Sequence, residues 1–278
     1  MINNDKKTGQ SPPDTELQKE YLASCLRHKR IIIILRIFVL LQFLIVWELL
    51  ADFHIIDSFF FSSPKRVILL FINMCKNYEI LIHIGITLLE TILSFLFVNI
   101  ISIVFSLLLL SSLKISEIAE PYLVVLNSLP KSALAPLIIV WLGTGLKTII
   151  VAGISVAVFG SIINLYTGFK QVDKEKIKLI YTLGGTKKDT ITKVIIPSSI
   201  PIILSNMKVN IGLSLVGVII GEFLAAKQGL GYLIIYGSQV FKLDLLILSI
   251  IILCFIAMGL YLLIQWFEYR ITGHKNSW

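Results

Sequence analysis

Few residues of this chain combine a side-chain type and a spacing that could carry out chemistry. The segment 143–148, GTGLKT, has the Lys-Thr pair of a phosphate-binding loop, but Leu146 stands where that loop needs a glycine before its lysine. The three cysteines and four histidines are dispersed, without the spacing of a disulfide framework or a metal centre. The sequence therefore predicts no catalytic residue, no metal and no cofactor bound by this chain.

Four ionisable residues, Arg36, Glu90, Lys131 and Glu222, lie in or near apolar runs, where a charge usually faces a bundle interior or a cavity. Arg36 is near a helix end and is expected to extend its charge to the membrane surface. Lys131 follows Pro130 in a proline-broken stretch, and irregular backbone at membrane depth lines a cavity or is buried in protein. We therefore expect Pro130 and Lys131 near a pathway through the protein or its gate. Glu222 fits either such a gate or a structural pairing, of which the pairing is favoured. Glu90 is expected near an interface.

The elements that hold these residues are membrane-spanning helices. Of the 278 residues, 56% are hydrophobic and 15% charged, and soluble domains carry roughly 25% charged residues. Apolar runs long enough to cross about 30 Å of hydrocarbon predict an all-α polytopic membrane protein. The six predicted spans are 31–50, 86–112, 119–143, 148–169, 205–226 and 243–266.

The basic residues predict the orientation of these spans. With the N-terminus inside, the inner segments hold sixteen Lys and Arg residues and the outer segments hold six. This bias favours an N-in, C-in arrangement. Because the charges gather in loops and the aromatic residues lie in apolar runs, the net charge of +8 does not predict nucleic-acid binding. The predicted regions are a cytoplasmic tail (1–30), a first anchor (31–50), an extracytoplasmic connection (51–80), a five-span core (81–267) with an inner loop (170–204), and a cytoplasmic C-terminal tail (268–278).

Smaller features complete this plan. In the fifth span Gly217, Gly221 and Ala225 recur every four residues, a spacing that lets another helix approach closely. Packing within the chain and packing against a second copy both fit this ridge. The segments 65–76 and 230–242 are too short to span and are predicted to be interfacial.

The inner loop predicts two short helices. Residues 174–183 alternate apolar and basic side chains in the pattern of an amphipathic helix, which Gly184 and Gly185 end. Thr186 and Asp189 have the spacing of a capping box, so a second helix is expected to begin there. Pro197 halts or kinks it. From the residues alone, this basic hairpin fits anionic lipid headgroups as well as a groove on a partner protein.

The loop resembles the cytoplasmic EAA motif of ATP-binding-cassette (ABC) importer permeases, in which a glycine is followed, after nine residues, by an I-x-L-P segment. Gly184 and the segment 194–197, VIIP, have this spacing. The E-A-A positions fall on Lys178, Leu179 and Ile180, so the acidic and small residues of the motif are absent.

Three further segments resemble the nitrate/sulfonate/taurine branch of these permeases, in the same order along the chain. They are 129–145, a proline-rich stretch ending in WLGTG; 221–234, which contains GEF and QGLGYLI; and 268–270, EYR. The resemblance covers roughly residues 60–270, which is most of the chain.

This resemblance implies a type I ABC importer permease fold with cytoplasmic coupling helices, in the bacterial cytoplasmic membrane. It implies a subunit that is not an enzyme, because ATP would be bound and hydrolysed by a separate cytosolic ATPase dimer. The other implied partners are a second permease copy, expected as a homodimer, and an extracytoplasmic substrate-binding protein.

The resemblance also implies roles within the loop. Gly184 would form the turn between the coupling helices, and Ile191 and Val194 would anchor the second one. Thr186, Lys187 and Lys188 would lie near the ATPase. The complete set of expected coupling residues is Lys178, Leu179, Ile180, Gly184, Thr186, Lys187, Lys188, Ile191, Val194 and Pro197.

The implied cargo is a small anionic solute such as nitrate, a sulfonate or taurine. Some members of the branch carry thiamine-precursor pyrimidines or riboflavin, so these are the alternative cargoes. An ATP-independent secondary transporter or an oligomeric channel is the alternative of another class, although no inverted repeat is visible. A membrane-embedded enzyme would need clustered His, Asp or Cys residues, which the sequence does not contain.

Overall fold

The computed structural model describes residues 16–53 and 55–272, and all regular structure within them is helical. The chain divides into two compact units, residues 1–64 and 65–278. The first contains α1 (Glu16–Asp52) and α2 (Ser58–Phe61). Within α1 the stretch Arg30–Asp52 is long and apolar enough to cross a membrane, as predicted for the first anchor.

The second unit holds the remaining helices. They are α3 (Pro64–Lys76), α4 (Glu79–Ser111), α5 (Leu113–Ser128), α6 (Lys131–Leu142), α7 (Leu146–Lys170), α8 (Lys174–Thr182), α9 (Lys187–Thr190), α10 (Ile196–Ser198), α11 (Ile200–Ala225), α12 (Leu230–Gln239) and α13 (Leu243–Thr272). A π-helical turn, Ile191–Ile195, joins α9 to α10. The segments predicted to be interfacial are the short helices α3 and α12.

Two of the long helices, α4 and α7, run parallel to each other. Side chains of α4 donate hydrogen bonds to backbone carbonyls of α7, and each donor is 56 residues from its acceptor. The pairs are Ser94–Ile150, Ser102–Val158 and Ser106–Ile162, at 3.3, 3.5 and 3.0 Å. A constant offset arises only when two helices point the same way. The chain must therefore cross back between them.

The returning crossing is formed by α5 and α6 together. The predicted span 119–143 differs in form, because these two helices are bent by 96° relative to each other. Pro130 has no N–H to donate, and the residue before a proline avoids helical geometry, so α5 ends near Leu129. With this bent pair counted as one, the spans number six in the described residues.

The α11 helix packs antiparallel against α7 through the small-residue ridge. A Cβ placed on Gly217 would lie 2.7 Å from the Cα of Gly153, and one on Gly221 would lie 3.0 Å from the Cα of Ile149. These contacts answer the question left open by the sequence: the ridge packs within the chain at Gly217 and Gly221. Glycines on both helices let the two backbones approach closely.

Candidate functional site

The turn between α8 and α9 has the geometry predicted for Gly184. This residue has a φ of +78°, the left-handed conformation that glycine adopts at a helix end without steric cost. The N–H of Gly185 donates to the carbonyl of Ile180 at 2.8 Å, and the N–H of Gly184 donates to that of Tyr181 at 3.0 Å. These bonds satisfy carbonyls that the end of α8 leaves open.

The capping box predicted at Thr186 is formed. The N–H of Asp189 donates to the Thr186 hydroxyl at 3.3 Å, and the N–H of Thr186 donates to the Asp189 carboxylate at 3.0 Å. Lys193, whose ammonium lies 2.8 Å from that carboxylate, and the Thr186 hydroxyl hold the pKa of Asp189 well below its usual range. The second helix of the hairpin continues through the π turn to α10, which contains Pro197 and ends at Ser198.

One side of this hairpin packs into the protein. Ile191, Val194 and Ile195 of the second helix and Ile177 of α8 join a cluster built around Leu165, Phe169 and Val172. Ile191 and Val194 are thus anchored in the chain's own helices. Lys187 is also tied inward, because its ammonium donates to the carbonyl of Ser111 at the end of α4.

Another part of the hairpin is apolar and exposed. Leu179, Tyr181 and Leu183 retain 57%, 50% and 74% of their accessible surface. Exposed basic side chains, Lys178 and Lys188, flank them. The sequence grouped Leu179 and Leu183 with Ile177 as the apolar side of α8; in the structure Ile177 packs inward and the two leucines are exposed. Tyr181 was missed, because a single tyrosine beside a glycine turn carries no periodic signal.

Pro130 and Lys131 lie at the corner between α5 and α6. The ammonium of Lys131 donates to the carbonyl of Leu126, one of the last carbonyls of α5, and lies 5.2 Å from the centre of the Phe159 ring. The lysine is therefore held against α5 and α7 by its own chain.

Glu222 is fully buried and joins three helices. Its carboxylate accepts from the hydroxyl of Thr87 in α4 at 2.7 Å and from the N–H of Gly231 in α12 at 2.5 Å. Thr87 in turn accepts from the N–H of Leu230 at 2.8 Å. Glu90, which is only 3% exposed, packs beside this carboxylate, and its expected position near an interface stays a prediction.

These contacts give Glu222 the structural pairing that the sequence favoured. Thr87 and His83, which accepts from the N–H of Gly229 at 2.9 Å, were not anticipated, since neutral residues in an apolar run leave no signal for their partners. The structure does not bring Glu222 and Lys131 together. Measured along α7, Glu222 lies at the level of the first turn, because the neighbouring Gly221 packs on Ile149. Lys131 lies at the level of Phe159, which is about 16 Å further along the helix at 1.5 Å per residue.

Comparison with known proteins identifies the class of molecule that combines such a six-crossing bundle with an inner helical hairpin. Residues 99–273 match the family described as the binding-protein-dependent transport system inner membrane component, and this is more than half of the chain. The chain belongs to that family. It is a permease subunit of an ABC importer in the cytoplasmic membrane, and ATP hydrolysis in such systems belongs to a separate subunit.

Individual relatives are similar over most of their length. A "Probable ABC transporter permease protein" of Haemophilus influenzae is 28% identical over 82% of this chain and 92% of its own. The formylaminopyrimidine transport permease protein ThiX of Halalkalibacterium halodurans is 26% identical over 69% of this chain and 76% of its own. The taurine transport system permease protein TauC of Escherichia coli is 23% identical, over 82% and 85%.

Solved structures show the same fold. A chain of the MetNI methionine ABC transporter in an inward-facing conformation matches with a TM-score of 0.60 at 18% identity, covering 70% of this chain and 95% of that chain. The type I importer permease fold expected from the sequence is confirmed.

Proposed function

We propose that this permease is driven through the hairpin formed by α8 to α10, which docks into a groove on a cytosolic ATPase. The observation that carries this proposal is the hairpin's division into two faces. One face is anchored in the membrane helices through Ile191 and Val194. The other presents Leu179, Tyr181 and Leu183 to solvent with a basic rim.

The exposed face favours a protein groove over a lipid surface. Large apolar side chains at the tip of a short helix, next to a rigid glycine turn, suit helix-in-groove recognition. A hairpin resting on lipid would instead turn its apolar residues toward the membrane, and those residues of this hairpin, Ile177 and Ile195 among them, are packed in the chain's own core.

The remaining assembly follows from the family. We propose a homodimer of this permease with two ATPase subunits and an extracytoplasmic binding protein, with both termini of the permease inside the cell. The excess of Lys and Arg in the inner segments supports that orientation. The proposed regions are the tail 1–30, the anchor 31–50, the connection 51–80, the core 81–267 and the tail 268–278.

Two cargo classes have support. The taurine permease favours a small sulfonate, as the sequence motifs do, and the formylaminopyrimidine permease favours a neutral heterocycle. Pro130 and Lys131 are a proposed gate, supported by the bend between α5 and α6 within the third crossing. Replacing Lys131 with alanine should lower uptake, and unchanged uptake would remove it from the gate.

The experiment is purification of the tagged permease from its native membrane in mild detergent, with identification of co-eluting subunits by mass. We expect one cassette ATPase per permease. Leu183→Asp should lower ATPase recovery about tenfold, since truncation of a central interface anchor typically costs 1–3 kcal/mol. Gly184→Pro should abolish ATPase recovery altogether, because proline cannot adopt the positive φ of this residue.

The matched control is Phe241→Asp, another exposed apolar residue, located between α12 and α13. This variant should keep the ATPase. A wild-type permease that elutes alone as a stable oligomer would contradict the proposal and favour an ATP-independent transporter.

A further inference from the structure

The side of the bundle where α7 and α11 approach the inner loop is open and polar. A cavity of about 350 Å³ there is lined by five polar residues, Asn164, Thr167, Gln171, Ser205 and Asn206, together with Gly168, Ile202 and Val209. Among residues 152–170 of α7, no large apolar side chain is exposed, whereas the polar side chains of Asn164 and Thr167 are exposed. A membrane helix normally turns apolar side chains toward lipid, so this face meets something else.

Asn206 provides a second observation. It is 6% exposed, and its side-chain nitrogen donates to the hydroxyl of Ser161 at 2.6 Å. Its side-chain oxygen has no hydrogen-bond partner among the described residues. A buried acceptor without a partner costs roughly 1–3 kcal/mol. Asn206 lines the cavity and this oxygen is enclosed, so a donor group in the cavity would remove that cost once the amide turns toward the cavity.

The polar lining of this face begins within α7 and not only at its end. Asn164 lies six residues before the end of α7 at Lys170, which is about 9 Å along the helix at 1.5 Å per residue. Further polar contacts lie inside the helix bundle: Asn210 donates to Ser161 at 2.9 Å and to Asn99 of α4 at 3.0 Å.

We propose that this cavity lines the inner part of the solute pathway and takes an uncharged solute with several hydrogen-bond donors and acceptors. The inference rests on the proposed importer function. None of the residues that line the cavity is charged. A sulfonate would enter it without a cation to offset its lost hydration, whereas neutral amide and hydroxyl side chains match the N–H and ring nitrogen groups of an amino-substituted heterocycle.

Lys131 of α6 and Lys170 of α7 are directed elsewhere. Lys131 lies over Phe159, a ring packed with the α5 residues Ala119 and Leu123. Lys170 lies 5.0 Å from the centre of the Tyr166 ring. Each ammonium is therefore held by its own aromatic partner and not by the cavity wall.

The test measures hydration and charge preference without needing to know the cargo. In a background with the native cysteines replaced by serine, Asn164→Cys is compared with Leu108→Cys, an exposed apolar position of α4. The 56-residue register of α4 and α7 puts these two positions at the same depth. Inside-out vesicles holding the whole importer are treated with the anionic sulfonatoethyl methanethiosulfonate and with the cationic trimethylammonioethyl methanethiosulfonate. The rate of cysteine modification by each reagent is divided by the rate at which the same reagent modifies a free thiol.

We expect Asn164→Cys to react with both reagents at corrected rates within about threefold of each other, and Leu108→Cys to react at least tenfold more slowly. A tenfold preference for the anionic reagent would overturn the neutral class in favour of a sulfonate pathway, and the reverse preference would favour a cation. No reaction at Asn164→Cys or at the second variant, Thr167→Cys, would overturn the pathway itself. Recovery of the ATPase from the same vesicles reports on the proposed function separately.

Discussion

At the scale of the residue, Glu222 explains the glycines that follow it. The first N–H groups of a helix have no partner within it, and α12 begins in the protein interior. Glu222, Thr87 and His83 accept from three successive amides there, and the carboxylate also faces the positive end of the helix dipole. The approach is so close that a Cβ on Gly229 would overlap the Glu222 carboxyl group.

Gly231→Ala tests this close approach. The added Cβ would lie 2.8 Å from one carboxylate oxygen of Glu222 and 3.1 Å from the carbonyl of Ile219, so the N-terminus of α12 must shift. We expect a loss of roughly 1–3 kcal/mol, the usual cost of overpacking, and a thermal midpoint at least a few degrees lower in detergent. The control is Gly259→Ala in α13, where no atom lies within 4 Å of the new Cβ. Equal midpoints would contradict the account.

At the scale of the element, the second helix of the hairpin depends on its capping box. Thr186→Ala removes the side-chain acceptor for the N–H of Asp189, and loss of such a cap typically costs about 1 kcal/mol. Amide hydrogen exchange at residues 188–190 should therefore rise about fivefold. Thr192→Ala is the control, because its hydroxyl bonds only to the carbonyl of Lys188 one turn earlier. Unchanged exchange in Thr186→Ala would show that the box does not hold the helix.

The pH dependence of the same box has a definite sign. Lys193 and Thr186 lower the pKa of Asp189 in the folded loop. The stability that the Asp189 carboxylate adds to the loop is therefore fully present at pH values above the pKa of the unfolded state, about 3.9. It is lost only as pH falls through the lower folded value. After correction for intrinsic exchange, protection of the amide of Asp189 should therefore be constant between pH 5 and pH 8. Protection that falls in this window would indicate another group.

The contact between α7 and α11 is tested by a pair of glycines on one helix. Gly217→Val would drive its side chain into Gly153 and into the carbonyl of Ala152, whose oxygen would lie 2.9 Å from the new Cβ, so the helices must separate. Gly212→Val has no atom within 4 Å of its Cβ. We expect only Gly217→Val to lower the yield of monodisperse protein, severalfold, in size-exclusion chromatography. Equal yields would contradict close backbone packing.

How far the sequence predicts these elements depends on the range of the signal. Gly184 and the Thr186 box follow local rules, and five of the six spans follow from hydropathy. The bend of the third crossing depends on Pro130 together with packing against α7, which hydropathy does not encode. Which apolar residues of α8 pack inward depends on the face that meets the distant helix α7, so periodicity alone does not separate partly buried Ile177 from exposed Leu179 and Leu183.

At the scale of the whole molecule, the hairpin is connected to the transmembrane helices at more than one place. Its second helix packs through Ile191 and Val194 on the end of α7 and on Ile103 and Leu107 of α4. Lys187 adds a directional contact to Ser111, the last residue of α4. A displacement of the hairpin by the ATPase would therefore reach α4 and α7 together. These parallel helices are held to one another by the hydrogen bonds from Ser94, Ser102 and Ser106 to carbonyls of α7.

Lys187→Met is the variant that tests transmission apart from docking. It keeps the length and apolar stem of the side chain but removes the donor to the α4 carbonyl, so the exposed docking face formed by Leu179, Tyr181 and Leu183 is unchanged. We expect full recovery of the ATPase but solute uptake per ATP hydrolysed reduced severalfold in proteoliposomes. Lys114→Met, an exposed lysine of α5 outside the hairpin, should retain both properties. Loss of ATPase recovery in Lys187→Met would instead assign this lysine to the docking interface, and normal coupling would show that the apolar packing transmits the motion without it.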